Sequence, residues 1–218
     1  ANCPNRGECF SDLTATFLIL GPGCSRNCRF CAVETGTDGG LDPGEPERVA
    51  LAAEELGLDY VVVTSVTRDD LPDGGAGQFA ATVERIREVN PSALVEVLIP
   101  DFQGSRSALK TVLEAGPDVL NHNLETVKRL YPLARPEADY ERSLHLLARC
   151  RDMAPEIPLK SGLMLGLGET GAEIKQAIQD LAASGCSILT AGQYLQPTRK
   201  HLPVEHYLAP EAFETLKE

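Results

Sequence analysis

No apolar run in the 218 residues approaches the roughly 20 that a membrane-spanning helix needs. Lys and Arg do not cluster either. Twenty basic residues stand against 32 acidic ones, a net charge of −12, and without a basic patch phosphate binding has no electrostatic footing. Membrane and nucleic acid are therefore not expected as partners. No internal repeat, low-complexity stretch, signal or transit peptide is visible, and no docking patch stands out along the chain. Apolar residues at 43% and charged residues at 24% exclude disorder, and the length suits one α/β domain.

What the chain does have is cysteine, unevenly placed. There are seven: Cys3, Cys9, Cys24, Cys28, Cys31, Cys150 and Cys186. A secreted disulfide scaffold spreads an even number through a short chain. An odd number, with most at the front of a larger chain, points instead to metal in a reducing compartment. Cys24, Cys28 and Cys31 form C-x3-C-x2-C. Close thiolates can hold one soft metal centre, and structural zinc or a fully ligated iron–sulfur cubane takes four ligands. Three leave a corner open to a small molecule. The plainer alternatives are a zinc knuckle completed from afar, or buried free thiols. No second C-x2-C exists, and His122, His145, His201 and His206 lack finger spacing. Cys150 and Cys186 read as small apolar residues.

Apolar periodicity alternates between strand and helix. Strands are predicted at 14–20, 60–66, 94–99, 118–120, 159–165 and 187–191. Helices are predicted over 46–56, around Phe79, Val83 and Ile86, after a Ser105 cap, around Tyr140, Leu144 and Leu147, after a Thr170–Glu173 capping box, and over 210–216. Such alternation gives a parallel sheet with right-handed crossovers. It can close as a doubly wound open sheet or as an incomplete barrel. Polar and Gly-rich stretches recur after the strands, at 24–31, 64–70, 121–125, 166–169 and 193–196. In a barrel they share one mouth, so an incomplete (βα)6 TIM-like barrel is the expected fold.

The C-x3-C-x2-C motif, with Phe30 before its third cysteine, resembles the signature of radical-SAM enzymes. The resemblance implies that Cys24, Cys28 and Cys31 hold a [4Fe–4S] cluster whose open iron chelates S-adenosylmethionine (SAM). One electron from the reduced cluster then splits SAM into methionine and a 5′-deoxyadenosyl radical. Upstream, Cys3 and Cys9 form C-x5-C, which alone reads as two free thiols or a disulfide. Beside the first motif it resembles the auxiliary-cluster segment of the lipoyl synthase family. So do TSVTRDDLPDGGA (64–76), IPDFQG (99–104), NHNLETV (121–127), KSGLMLGLGET (160–170) and GQYLQPT (192–198), in that order.

That resemblance divides the chain into an incomplete auxiliary-cluster segment (1–12) and a radical-SAM partial barrel (13–218). Two of the family's auxiliary ligands have no counterpart, so the chain is expected to be trimmed at both ends and to cleave SAM better than it makes lipoyl groups. The implied reaction is insertion of two sulfur atoms at C6 and C8 of a protein-bound octanoyl-lysine, with a second [4Fe–4S] cluster on Cys3 and Cys9 as sulfur source. Biotin-synthase-like or methylthio-transferring chemistry, or a non-catalytic iron–sulfur module, are the alternatives. The implied SAM contacts are Phe30, Ser65, Asn123, Glu125, Arg135 and Lys160. Arg68 is divided between this cavity and turn chemistry, with Asp69 and Asp70 as solvated turn residues. Lys160 interrupts an apolar strand and calls for a ligand or an internal carboxylate. The implied partners are an octanoylated lipoyl carrier domain (a 2-oxoacid dehydrogenase E2 subunit or the glycine cleavage H protein), a ferredoxin or flavodoxin, and iron–sulfur assembly proteins, in the cytoplasm.

Overall fold

Stretches rich in β-branched residues alternate with amphipathic ones, so the chain builds βα units one after another. The computed structural model describes residues 5–37 and 39–217. The elements are α1 (Arg6–Ser11), β1 (Thr14–Ile19), β2 (Gly23–Cys24), β3 (Glu34–Thr35), α2 (Glu45–Glu55), β4 (Tyr60–Ser65), α3 (Ala76–Val89), β5 (Leu94–Leu98), α4 (Arg106–Glu114), β6 (Val119–Asn121), α5 (Tyr131–Ala134), α6 (Tyr140–Met153), β7 (Leu159–Leu165), α7 (Gly171–Ala183), β8 (Ile188–Gln193) and α8 (Pro210–Glu214). Every predicted strand and helix is present, shifted by at most two residues at an end. The unpredicted pieces are short. Helix α1 buries no residue, β2 and β3 pair over two residues each, and α5 is a single turn. None carries enough apolar periodicity to be read.

Six strands form one sheet in the order β1-β4-β5-β6-β7-β8, and every neighbouring pair is parallel. The order follows the chain without reversal. A doubly wound sheet reverses at a switch point and covers both faces with helices. Without a reversal, right-handed crossovers place the helices on one face, and the twisted sheet curls away from them. Strands β1 and β8 are not paired, so the barrel stays open.

Strand alternation then sorts the side chains. Val61, Val63, Val95 and Val97 face the helices and are fully buried with Phe79, Val83 and Ile86 of α3 and Leu109 and Val112 of α4. Burying each such side chain contributes about 1.5–3 kcal/mol. The other parity, including Leu18, Val62, Thr64, Glu96, Leu98, Lys160 and Gly162, lines the lumen. The helix starts are fixed as the sequence indicates. Ser105 accepts from the Ala108 amide, and Thr170 and Glu173 form the capping box at α7. Among the described residues no helix is long and apolar enough to cross a membrane.

Candidate active site at the mouth of the barrel

Strand β1 hands the chain to the cysteine loop through Leu20 and Gly21, both at positive φ (71° and 88°). Gly23 is required next: a Cβ there would lie 2.3 Å from the Gly36 carbonyl oxygen. The loop is then tied down from several sides. Ser25 donates its amide to the Thr67 carbonyl (2.9 Å), its hydroxyl accepts from Asp69 N (3.0 Å), and Arg29 N donates to the Ala134 carbonyl (2.9 Å). From the far end of the chain, Leu202 N donates to the Arg29 carbonyl (2.9 Å), and His201 Nε2 lies 2.9 Å from the Cys31 carbonyl.

The strongest tie is Arg26, inside the motif. Its guanidinium forks onto Asp69 (2.6 and 3.0 Å) and Asp101 (2.6 and 3.0 Å), and Asp101 also accepts from Arg142 Nε at 2.8 Å. The Arg26 and Asp101 side chains are 4% and 0% exposed. Burial pulls the Arg26 pKa down, but the bonds and charges of Asp101 and Asp69 outweigh it and the net shift is upward. Asp69 is thus an ion-pair partner, not a solvated turn residue. Arg68 is spent structurally, on Asp70 (2.7 Å) and on the Leu20 and Gly39 carbonyls (3.2 and 3.0 Å). That settles its divided reading in favour of the turn, and Asp70 is its counter-ion.

The strand ends bring most of the other expected residues together. Ser65 closes β4 with its hydroxyl buried and unpaired. Asn123 and Glu125 follow β6, and Glu125 takes a left-handed φ of 70° to bridge β7, donating to Gly162 O and accepting from Met164 N (both 2.8 Å). A Cβ on Gly162 would sit 2.7 Å from Asn123 Oδ1. Arg135 lies over the Tyr131 ring and donates Nη1 to the Asn123 carbonyl (3.0 Å), while its Nε is buried without a partner. Phe30 is half-buried against the core. Lys160 lies deeper. It donates to both Glu96 oxygens (3.0 and 2.9 Å), which also accept from Tyr60 (2.7 Å) and Asn121 (2.9 Å). Glu96 is the internal carboxylate that Lys160 called for. Cys9 is half-buried on α1, which leads into the opposite end of β1, and Cys3 lies outside the described residues.

Three features fit a sulfur-ligated cluster with a charged small molecule. Cys24 Sγ accepts from two backbone amides, Arg26 N (3.5 Å) and Thr67 N (3.3 Å), as a ligating thiolate requires of its surroundings. Burial raises the Cys28 thiol to about 11, Arg135 opposes this, and Cys31 and Cys24 add to it, so the three sulfurs feel one another. The orphaned Ser65 Oγ and Arg135 Nε mark polar groups awaiting a partner. Among the described residues no three His, Cys, Asp or Glu side chains converge as a single metal ion would need. A four-iron cubane spaces its ligands more widely.

His122, after β6, is 1% exposed, with Nδ1 2.8 Å from the Ile99 carbonyl. Burial and the nearby Arg135 lower its pKa to about 4. It is neutral at pH 7 and supplies no acid. The unfolded chain binds this proton below about pH 6.5 and the folded chain only below about 4, so stability falls as pH drops between them. From pH 7 to pH 5 this group alone should remove about 2 kcal/mol. Thermal melts of a His122→Asn variant should lose that part of the slope.

A parallel sheet in chain order, with a three-thiol loop after its first strand, defines a radical SAM protein. Residues 18–181 match the Radical SAM superfamily. Streptococcus suis SuiB bound to S-adenosylmethionine shares the fold, with TM-score 0.73 and 11% identity over 97% of this chain and 49% of its own. HydG, a maturase of the [FeFe]-hydrogenase, gives 0.72 and 18% over 93% of this chain and 47% of its own. The chain therefore spans about half the length of these structures. Sequence relatives are nearer. A lipoyl synthase of Alkaliphilus metalliredigens is 56% identical over 218 residues, all of this chain and 75% of that protein. One of Oleidesulfovibrio alaskensis is 59% identical over 214 residues, 98% of this chain and 73% of that protein. The chain belongs to the lipoyl synthase family of the radical SAM superfamily. Membership of that superfamily implies SAM and a [4Fe–4S] cluster.

Proposed function

We propose that the chain inserts sulfur at C6 and C8 of an octanoyl group amide-linked to a lysine of a lipoyl carrier domain. The observation that carries this is 56% identity to a lipoyl synthase across all 218 residues, with the three-thiol loop in place. When bound, a [4Fe–4S] cluster with SAM on its open iron supplies a deoxyadenosyl radical for hydrogen removal, and a second [4Fe–4S] cluster supplies sulfur. Cys24, Cys28 and Cys31 would hold the first, and Cys3 and Cys9 would contribute to the second. The division at residues 12 and 13 follows from this assignment.

The chain's own residues bind, orient and exclude water. Arg135, with its unpaired Nε, would hold a carboxylate of SAM, and Ser65, Asn123 and Glu125 its polar remainder. Phe30 would flank the cluster. Lys160, held by Glu96, would orient the part of the ligand that reaches its depth in the lumen. Leu18, Val62, Leu98 and Met164 give the acyl chain an apolar surround, which an alkyl radical needs because it attacks whatever is nearest. Six strand residues, about 20 Å, separate Cys9's end of β1 from the end that carries Cys24. The acyl carbons would lie between a radical source and a sulfur source.

This reading requires a carrier domain (an E2 subunit or H protein), a ferredoxin or flavodoxin, assembly proteins, and a reducing, cytoplasmic setting. The test is isotopic. After anaerobic reconstitution and dithionite reduction with SAM, a perdeuterated octanoyl-lysine peptide should pass deuterium into 5′-deoxyadenosine. Deuterium arriving from labelled dethiobiotin, and none from the octanoyl peptide, would move the chain to biotin-synthase-like chemistry.

A further inference from the structure

We propose that the exposed rim formed by Arg29, Arg199 and Lys200 is where an acidic one-electron carrier protein docks to reduce the cluster on Cys24, Cys28 and Cys31. This rests on the reading of that loop given above.

The rim joins two segments far apart in sequence. Arg29 lies between Cys28 and Cys31. The segment after β8 folds back onto it, through Leu202 N to the Arg29 carbonyl (2.9 Å) and His201 Nε2 against the Cys31 carbonyl (2.9 Å). Arg199 and Lys200 immediately precede that seat, and the side chains of all three cations are exposed. The cysteines on either side of Arg29 are half-buried, so the arginine is the outer face of the loop and the thiols its inner face.

The charge of this surface runs against that of the chain. Net charge is −12, yet no Asp or Glu occurs from Gly21 to Val33 or from Tyr194 to Val204. Elsewhere the cations are mostly answered: Arg26, Arg48, Arg68, Arg85, Arg87, Arg129, Arg142 and Arg151 all sit in ion pairs. Among the described residues Arg29, Arg199 and Lys200 form none. Leu195, four residues before Arg199 on the same segment, is 53% exposed.

Electron transfer weakens steeply with distance, so a protein donor has to seat against the cluster loop itself. The net charge of −12 repels an acidic donor from the molecule as a whole. At this rim it meets attraction, which steers the encounter and rejects other orientations. The lumen is left free for SAM and the acyl chain.

The experiment compares reconstituted wild type with the double variant Arg199→Glu/Lys200→Glu, driven either by dithionite or by reduced flavodoxin, reading 5′-deoxyadenosine. Dithionite needs no docking surface, so that rate should be unchanged. With subsaturating flavodoxin at low salt the variant should be slower by about tenfold or more, and added salt should narrow the gap by slowing the wild type. Flavodoxin binding to the immobilised holoprotein, measured without turnover, should weaken in parallel. An unchanged flavodoxin-driven rate overturns the proposal. Equal loss with both reductants overturns it too, by showing that the rim serves the cluster or SAM. A higher KM confined to the octanoylated carrier domain would assign the rim to that protein instead. Absence of SAM cleavage in the wild type, with flavodoxin binding still weakened by the variant, would sink the radical reading and leave the docking surface standing.

Discussion

Replacing Asp101 with alanine is expected to cost about 3–5 kcal/mol of stability and to strip the cysteine loop of iron. The carboxylate accepts two bonds from Arg26, one from Arg142 and one from the Gln103 amide (3.0 Å). Its removal leaves the buried Arg26 guanidinium with Asp69 alone. An uncompensated buried cation is costly, and the chain escapes by swinging Arg26 outward. Arg26 lies between Cys24 and Cys28, so that swing separates two ligands and shifts the amide that Cys24 Sγ accepts. Burial raises the Asp101 pKa, but the bonds and charge of Arg26 more than reverse this and hold it below the usual carboxylate range. The contribution is therefore full at neutral pH and is lost only as pH falls below that range. Denaturant midpoints and iron per chain after reconstitution would measure both effects. The double variant Arg26→Met/Asp101→Leu separates them: apolar replacement of the whole pair should recover much of the stability, yet iron retention should stay low. A chain with Asp101→Ala that melts like wild type and keeps its iron would show that the network does not position the loop.

The βα alternation was readable because its cause is local. Runs such as Tyr60–Ser65 carry β-branched residues, and Phe79, Val83 and Ile86 mark one face of a helix. Closure was not readable from periodicity, because an open sheet and a barrel share that alternation; only the strand order, without reversal, decides it. The cysteine ligands were legible because they lie within eight residues of one another. Their supports were not. Arg26 and Asp101 are 75 positions apart, Glu96 and Lys160 are 64, and Cys31 and His201 are 170. For Lys160 the sequence called for a ligand or an internal carboxylate, and only the sheet register supplied Glu96. The basic rim was hidden in the same way, since the segment carrying Arg199 reaches the Arg29 loop, through Leu202, only after the chain returns from β8.

Changing Cys28 to serine should reduce 5′-deoxyadenosine formation to the level of the iron-free chain and leave the fold intact. Cys28 sits in a loop held by Arg26 and by backbone bonds of its neighbours, so an oxygen in place of its sulfur disturbs the ligand set more than the packing. The other cysteines supply the contrast. Cys186 Sγ donates to the Ile188 carbonyl at 3.2 Å, a bond that a serine hydroxyl repeats, so Cys186→Ser should change neither activity nor melting appreciably. Cys150 is fully buried in α6, and a hydroxyl there should cost about 1–3 kcal/mol while sparing the turnover of folded molecules. Cys9→Ser is expected to behave in a third way, with SAM still cleaved and sulfur insertion lost, because α1 lies at the other end of β1 from the radical site. Deoxyadenosine, peptide mass and thermal midpoint, read side by side for the four variants, resolve these patterns. Wild-type deoxyadenosine formation by the Cys28→Ser chain would remove Cys28 from the ligand set and return the loop to a zinc knuckle or a group of free thiols.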